Sequence, residues 1–313
     1  MDNIMFTINI ILPLFLLIAI GYFLKTIKVF KEEFLQPATK VSVQVFLPIL
    51  LFYNIYSSDF STSFNLPVLT FTIVGVLVLF LFLIIFVPLF VKKNEQRGVI
   101  IQALVRSNLL LLGVPICQDM YGIDGAGVAA VICSFAVALF NILSTIALSI
   151  FDDRNKSSIK LIFKNIMTTH MLIGALIGIL FAVLNIKLPI LIEKTIAPIS
   201  GLATPFALLV LGGSLNFNSL LKNIRILTVS AILKLIIIPA VAVGIALAFG
   251  FRKELLAPLV VVFGAPTATA SYAMAYQAHA DSQLAAQLIA VTNFLSTFSL
   301  FFIILFGRNL GFL

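Results

Sequence analysis

The chain has 313 residues, 61% of them hydrophobic and only 10% charged, with a mean hydropathy of +1.18. Soluble domains carry about 25% charged residues, so composition excludes a soluble globule, a disordered chain and a large cytosolic enzyme. The net charge of +8 does not mark a nucleic-acid binder, because the basic residues fall in short loops between apolar runs rather than along one face.

A crossing helix needs about 20 apolar residues, which points to an all-α polytopic membrane protein. In chain order, stretches free of Asp, Glu, Lys and Arg cover 3–24, 41–58, 60–91, 125–151, 165–186, 195–221, 255–280 and 282–307. Two more apolar runs each hold one cation: 98–121 contains Arg106 and 226–251 contains Lys234. These ten segments are spans 1 to 10. Asp2 stands where a cleaved leader would be basic, and span 1 is too long for a leader's apolar core, so no signal peptide is expected.

Loop cations choose a side. The connections after spans 1, 3, 5 and 7 hold 13 Lys and Arg residues, and the opposite side holds 5. By the positive-inside rule both termini lie outside a cell (plasma) membrane. The longest polar connector, Asp152 to Ser158, divides the chain into a first repeat at 1–150, a cytoplasmic linker at 151–165 and a second repeat at 166–313. Five spans per half invert the second half relative to the first, as in inverted-repeat transporters. Three sequence echoes agree. Gly21-Tyr22-Phe23-Leu24 is answered by Gly178-Ile179-Leu180-Phe181, Gln36-Pro37-Ala38-Thr39 by Ala197-Pro198-Ile199-Ser200, and Gly113-Val114-Pro115 by Gly264-Ala265-Pro266.

The Gly-x-Pro pairs lie near the middles of spans 4 and 9. Proline removes a donor and crowds the preceding turn, and it also suits the first position of a new helix. Pro115 and Pro266 are therefore expected to start half-helices that enter from opposite sides and converge, an arrangement that attracts anions. Asn108 lies two turns before Pro115, and Thr267, Thr269, Ser271 and Tyr272 follow Pro266. Asn293, Asn54, Pro48 and Gln102 are further candidates. Arg106 and Lys234, each about 12 Å from the cytoplasmic end at 1.5 Å per residue, are the cations deep in spans. The carboxylates keep to loops and span ends, Asp119 being the deepest, so no central acid serves a cation antiporter. His170 and His279 stand apart, Cys117 and Cys133 sit in apolar segments, and Gly122 to Gly127 lacks the lysine of a phosphate loop. No enzyme chemistry, cofactor or metal is expected.

Arg106-Ser107-Asn108 with Gly113-Val114-Pro115, Gly264-Ala265-Pro266-Thr267-Ala268, and Phe46-Leu47-Pro48-Ile49-Leu50 resemble the auxin efflux carrier family. The resemblance covers essentially the whole chain and is closest to the short bacterial malate and dicarboxylate permeases. It implies the ten-helix 5+5 inverted repeat shared with bile-acid symporters and sodium/proton antiporters, with spans 4 and 9 broken and crossed. Spans 1, 2, 6 and 7 would form a scaffold and dimer interface, and spans 3–5 and 8–10 a transport core. Pro115 and Pro266 match the family's crossing prolines, and Asn108 falls in its helix-four motif. The Asn-Pro-Asn type signature of the plant exporters is missing from the crossing.

The expected function is secondary transport of small organic anions, mono- or dicarboxylates such as malate or auxin-like acids, by elevator-type alternating access. The expected binding set is Asn108, Gly113, Pro115, Gly264, Pro266, Thr267, Thr269, Ser271, Arg106 and Asn293. Expected partners are the anion, membrane lipid, a coupling H+ or Na+ and a second copy in a homodimer. The alternatives are a sodium-coupled symporter, with Asn108, Thr269 and Asn293 supplying oxygens, and an anion sensor that does not transport.

Overall fold

A chain that is apolar on every side satisfies its backbone inside lipid only as helix or closed barrel, and here it is helix. The computed structural model describes residues 2–57, 64–152, 170–214 and 223–313. The helices in these residues are α1 (Asp2–Thr26), α2 (Glu32–Ser57), α3 (Leu66–Phe90), α4 (Asn94–Val105), α5 (Val114–Ile150), α6 (His170–Val183), α7 (Ile190–Ser214), α8 (Ile224–Ala248), α9 (Lys253–Gly264), α10 (Ala270–Gln277) and α11 (Ser282–Asn309). Seven of them, α1, α2, α3, α5, α7, α8 and α11, contain a stretch long and apolar enough to cross a membrane. No strand occurs among the described residues, which hold one isolated antiparallel bridge, Ser107 with Thr267. From residue 153 onward the expected linker at 151–165 lies outside the described residues, as do Lys222 and the loop cations between 154 and 164.

Outward faces are apolar. Val74, Val78, Leu81, Ile85 and Leu89 recur at helical spacing along α3 and are all exposed. A continuous stripe of that kind is an aggregation surface in water and an ordinary surface in lipid.

The chain folds into two compact units, one of Met1–Asn65, Leu110–Ser134 and Met167–Leu215, the other of Leu66–Leu109, Phe135–Ile166 and Asn216–Leu313. In the first, α1 packs along α7 and α2 along α6. The α1–α7 contact is backbone on backbone: a methyl group on Gly21 would overlap the Leu209 carbonyl, and one on Gly212 would overlap that of Ile18. Small residues permit such approach between helices in lipid, where there is no hydrophobic drive to associate. Phe46 meets Phe206 edge-on at 5.3 Å and joins α2 to α7, while Phe52 meets Phe181 at 5.7 Å and joins α2 to α6.

In the second unit α3 packs on α4 and α9, and α11 packs on α4, α8, α9 and α10. Phe71 on α3 lies edge-on to Phe263 of α9 at 6.3 Å, and Gly75 leaves room for the Phe263 ring. Gly98 lets α4 lie against the Ala147–Leu148 backbone of α5.

Three helices carry one widened π turn, at Ser42–Phe46, Leu109–Gly113 and Leu233–Ile237. Each ends two residues before a proline: Pro48, Pro115 and Pro239. A proline has no N–H for the carbonyl four residues back, and its ring crowds that carbonyl. Shifting the preceding carbonyls to donors one residue further on relieves both problems without stopping the helix. Pro13, Pro37, Pro88, Pro198, Pro205 and Pro258 sit inside helices without such a turn, so a proline by itself does not dictate one.

Pro115 therefore does not start a half-helix. Span 4 breaks earlier, between Val105 and Leu109, and the helix runs on through the π turn past Pro115 to Gly122, whose φ of 68° closes the connection to span 5. Only glycine adopts that conformation without a Cβ penalty.

Gly212→Ala and Gly21→Ala should each force α1 and α7 apart and cost about 1–3 kcal/mol. A lowered unfolding midpoint in detergent measures this, with Gly201→Ala, where an added Cβ meets nothing within 4 Å, as the unaffected control.

Candidate functional site

The break in span 4 and the break in span 9 meet within the second unit. α4 stops at Val105 and Arg106 turns extended (φ −85°, ψ 109°), while α9 stops at Gly264 and Ala265 turns extended (φ −68°, ψ 151°). The two extended pieces run antiparallel. The Asn108 N–H donates to the Pro266 carbonyl at 2.7 Å, and the Ala268 N–H donates to the Arg106 carbonyl at 3.2 Å. Pro266 thus lies in the crossing itself rather than at the start of α10, which begins four residues later.

Stopping a helix strands carbonyls at its end, and at membrane depth an unmet one is costly. Nearly every stranded group here has a named partner. The Ala103 carbonyl of α4 accepts from Thr267 Oγ1 at 3.0 Å, and the Leu104 carbonyl accepts from Lys234 Nζ at 3.0 Å. The Val262 carbonyl of α9 accepts from Ser107 Oγ, which itself accepts from Lys234 Nζ at 2.7 Å. α11 supplies the rest: Thr292 Oγ1 accepts from the Thr267 N–H at 3.2 Å, and Asn293 Nδ2 donates to the Thr267 carbonyl at 3.2 Å and to the Ile289 carbonyl at 2.8 Å. Ser107, Thr267, Lys234, Thr292 and Asn293 are each 2% exposed or less.

Some polar groups around this frame are left over. Asn108 Nδ2, Ser271 Oγ, Gln102 Oε1 and Asn293 Oδ1 are buried without a hydrogen-bond partner among the described residues. Arg106 is 6% exposed, and among the described residues its guanidinium has one acceptor, the Met274 thioether of α10, 2.8 Å from a terminal nitrogen. A guanidinium has five donors and sulfur is a weak acceptor, so a buried positive charge here lacks a counter-charge. Gln102 Nε2 lies 3.5 Å from the same sulfur. A cavity of about 200 Å³ lined by Lys93, Gly98, Asp152, Ala278 and His279, among others, reaches to one helical turn from Gln102 and Met274.

Of the residues expected at the site, Arg106, Asn108, Pro266, Thr267 and Asn293 are brought together at the crossing. Ser271 and Thr269 lie just beyond it, where their chain enters α10; the Ser271 N–H bonds to the Ala268 carbonyl at 3.0 Å. Gly264 closes α9 against Pro239 of α8, 3.3 Å from where a Cβ would stand. Gly113 and Pro115 belong to the first unit, in the helix that follows the break. Asp119 is exposed. The side chain of Asn54 lies outside the described residues. Sequence reasoning missed Ser107 and Thr292, although each neighbours a chosen asparagine, and Met274, whose thioether gives no polar signal.

Nearly the whole chain, residues 6–304, matches a family model described as membrane transport protein, that of the auxin efflux carriers. The chain belongs to that family. It is 25% identical to an uncharacterized transporter of Methanocaldococcus jannaschii over 97% of this chain and 98% of that protein. It is 26% identical to an uncharacterized transporter of Methanothermobacter thermautotrophicus over 93% of this chain and 95% of that protein. This membrane transport protein thus resembles transporters from end to end.

In this transporter, hydroxyls of the frame and leftover hydroxyls should behave differently. Thr267→Val leaves the Ala103 carbonyl without its donor and should cost about 1–3 kcal/mol, whereas Ser271→Ala removes an unpartnered group and should leave stability unchanged or slightly raised. Unfolding midpoints of the two purified variants against wild type check this.

Proposed function

We propose that the protein is a secondary transporter of small organic anions, mono- or dicarboxylates such as malate or auxin-like acids. The observation that carries the reading is Arg106: a buried guanidinium with a thioether as its acceptor, at a crossing that also holds the unpartnered Asn108 Nδ2 and, just beyond it, Ser271 Oγ. A carboxylate supplies what this guanidinium lacks, a charged, planar, bidentate acceptor. In this reading the anion displaces the Met274 sulfur, Asn108 and Ser271 donate to it, and the helix starts at Leu109 and Ala270 add their dipoles. Thr267, Pro266, Gly264 and Asn293 hold the frame. The cavity by Lys93 and His279 is the cytoplasmic approach.

The architecture we propose is ten spans in two inverted halves. Seven helices cross by length and composition. α4 with the start of α5, and α9 with α10, fall short of that length because each is broken, and α6 begins at the edge of the described residues. The antiparallel pairing at the crossing is what inverted halves produce. It matches Ser107 with Thr267, 160 positions apart, in line with the echoes that pair Gly21 with Gly178 and Pro37 with Pro198. Units that gather α1, α2, α6 and α7 on one hand and α3, α4 and α8–α11 on the other, with α5 divided between them after Ser134, support a scaffold and a moving core, hence elevator-type alternating access. The scaffold is the dimer interface, and both termini lie outside the plasma membrane.

In liposomes on a solid-supported membrane, the wild-type protein should give currents with malate, malonate or indole-acetate. Asn108→Ala and Arg106→Gln should abolish them while the folded yield persists. Currents from inorganic cations alone, or binding without counterflow of labelled substrate, would overturn the transport reading; unchanged affinity in Asn108→Ala would remove that residue from the site.

A further inference from the structure

We propose that the ammonium of Lys234 is a tethered cation filling a monovalent-cation site between the C-termini of α4 and α9, so that the crossing needs no sodium ion. Two helix ends meet there, and each carries about half a negative charge on its stranded carbonyls. Together they create a local charge near minus one at a depth without water to screen it, and one fixed positive charge balances it. Lys234 is 1% exposed and stands in the π turn Leu233–Ile237 of α8. The close approach of Pro239 to Gly264 brings that turn onto the end of α9. From there Nζ reaches the Leu104 carbonyl at 3.0 Å and Ser107 Oγ at 2.7 Å, and Ser107 passes a hydrogen bond on to the Val262 carbonyl. The Leu104 carbonyl and the Ser107 hydroxyl are neutral oxygens from the α4 side, with the α9 end joined through Ser107, and such oxygens are the donor type that discontinuous helices offer to sodium. Neither ligand is a carboxylate, so the ammonium has no ion-pair partner here to account for its burial; the helix ends take that part. A neutral side chain would serve for hydrogen bonding alone. Lys234 is therefore a positioning residue, acting through the crossing rather than on the transported solute.

The inference extends the transport reading by naming its coupling chemistry at the crossing, but its test uses no organic substrate, so a different cargo leaves it standing. The full-length protein is purified in choline chloride, and its unfolding midpoint and retention of radiolabelled sodium are followed as choline is exchanged for sodium, lithium or potassium at constant ionic strength. Wild type should be indifferent to the exchange and retain no sodium. Lys234→Ala opens the space and should gain a saturable rise in midpoint and bound sodium with at least one of these ions, or fold only when purified in it. Lys234→Met, which fills the space without charge, should be destabilised and gain neither. Saturable stabilisation of wild type by sodium overturns the inference. So does a Lys234→Ala protein that no alkali cation rescues in midpoint, binding or yield, and so does a Lys234→Met protein as stable as wild type.

Discussion

A helix that stops inside a bilayer leaves backbone groups that neither water nor lipid satisfies, and the second unit is arranged around that constraint. Interrupting α4 and α9 at one place lets each break answer the other: Asn108 bonds to Pro266, Ala268 to Arg106, Thr267 to Ala103, and Ser107 to Val262. A single broken helix would have had no such complement. The reciprocal contacts explain why two breaks, remote in sequence, occur at one crossing, and why α8 supplies Lys234 and α11 supplies Thr292 and Asn293 there.

Once the frame's requirements are met, what remains polar and unmet becomes informative. Thr267 and Thr292 are as polar as Ser271, yet their hydroxyls are consumed by the backbone, and only the Ser271 hydroxyl is left over. Asn293 divides between the two classes: its amide nitrogen is fixed by two carbonyls, while its oxygen has no partner. The distinction between frame and leftover group lies in the hydrogen-bond inventory rather than in residue type, and no reading of residue types alone recovers it.

Seven of the expected spans are legible in the sequence as helices long and apolar enough to cross, because apolar length is the one requirement lipid imposes on every helix. The sequence also revealed that spans 4 and 9 are interrupted, but it misplaced one interruption. Gly264-Ala265-Pro266 ends α9 at the glycine, whereas Gly113-Val114-Pro115 lies inside a helix whose π turn absorbs the proline. The break of span 4 falls on Arg106-Ser107-Asn108, none of which is a strong helix breaker. Those residues leave the helix because the opposite chain offers them better partners, a tertiary preference that local propensity does not record. Gly113 and Gly264, 151 positions apart, therefore do not mark corresponding breaks, and the residues bridged at the crossing are Ser107 and Thr267.

Arg106 and Lys234 look alike in the sequence, each a lone cation deep in an apolar run. The structure separates them by what they touch. The Lys234 ammonium faces the Leu104 carbonyl at the end of α4 and the hydroxyl of Ser107 just past it, and Ser107 in turn bonds to the end of α9. The Arg106 guanidinium faces sulfur, and its charge is not balanced. Burying an unbalanced charge is costly, a cost that the anion of the proposed function would lift. If Lys234 neutralises the helix ends as inferred, the neighbouring carbonyls do not cancel the charge of Arg106. On that reading one cation completes the crossing and leaves the other free to attract an anion.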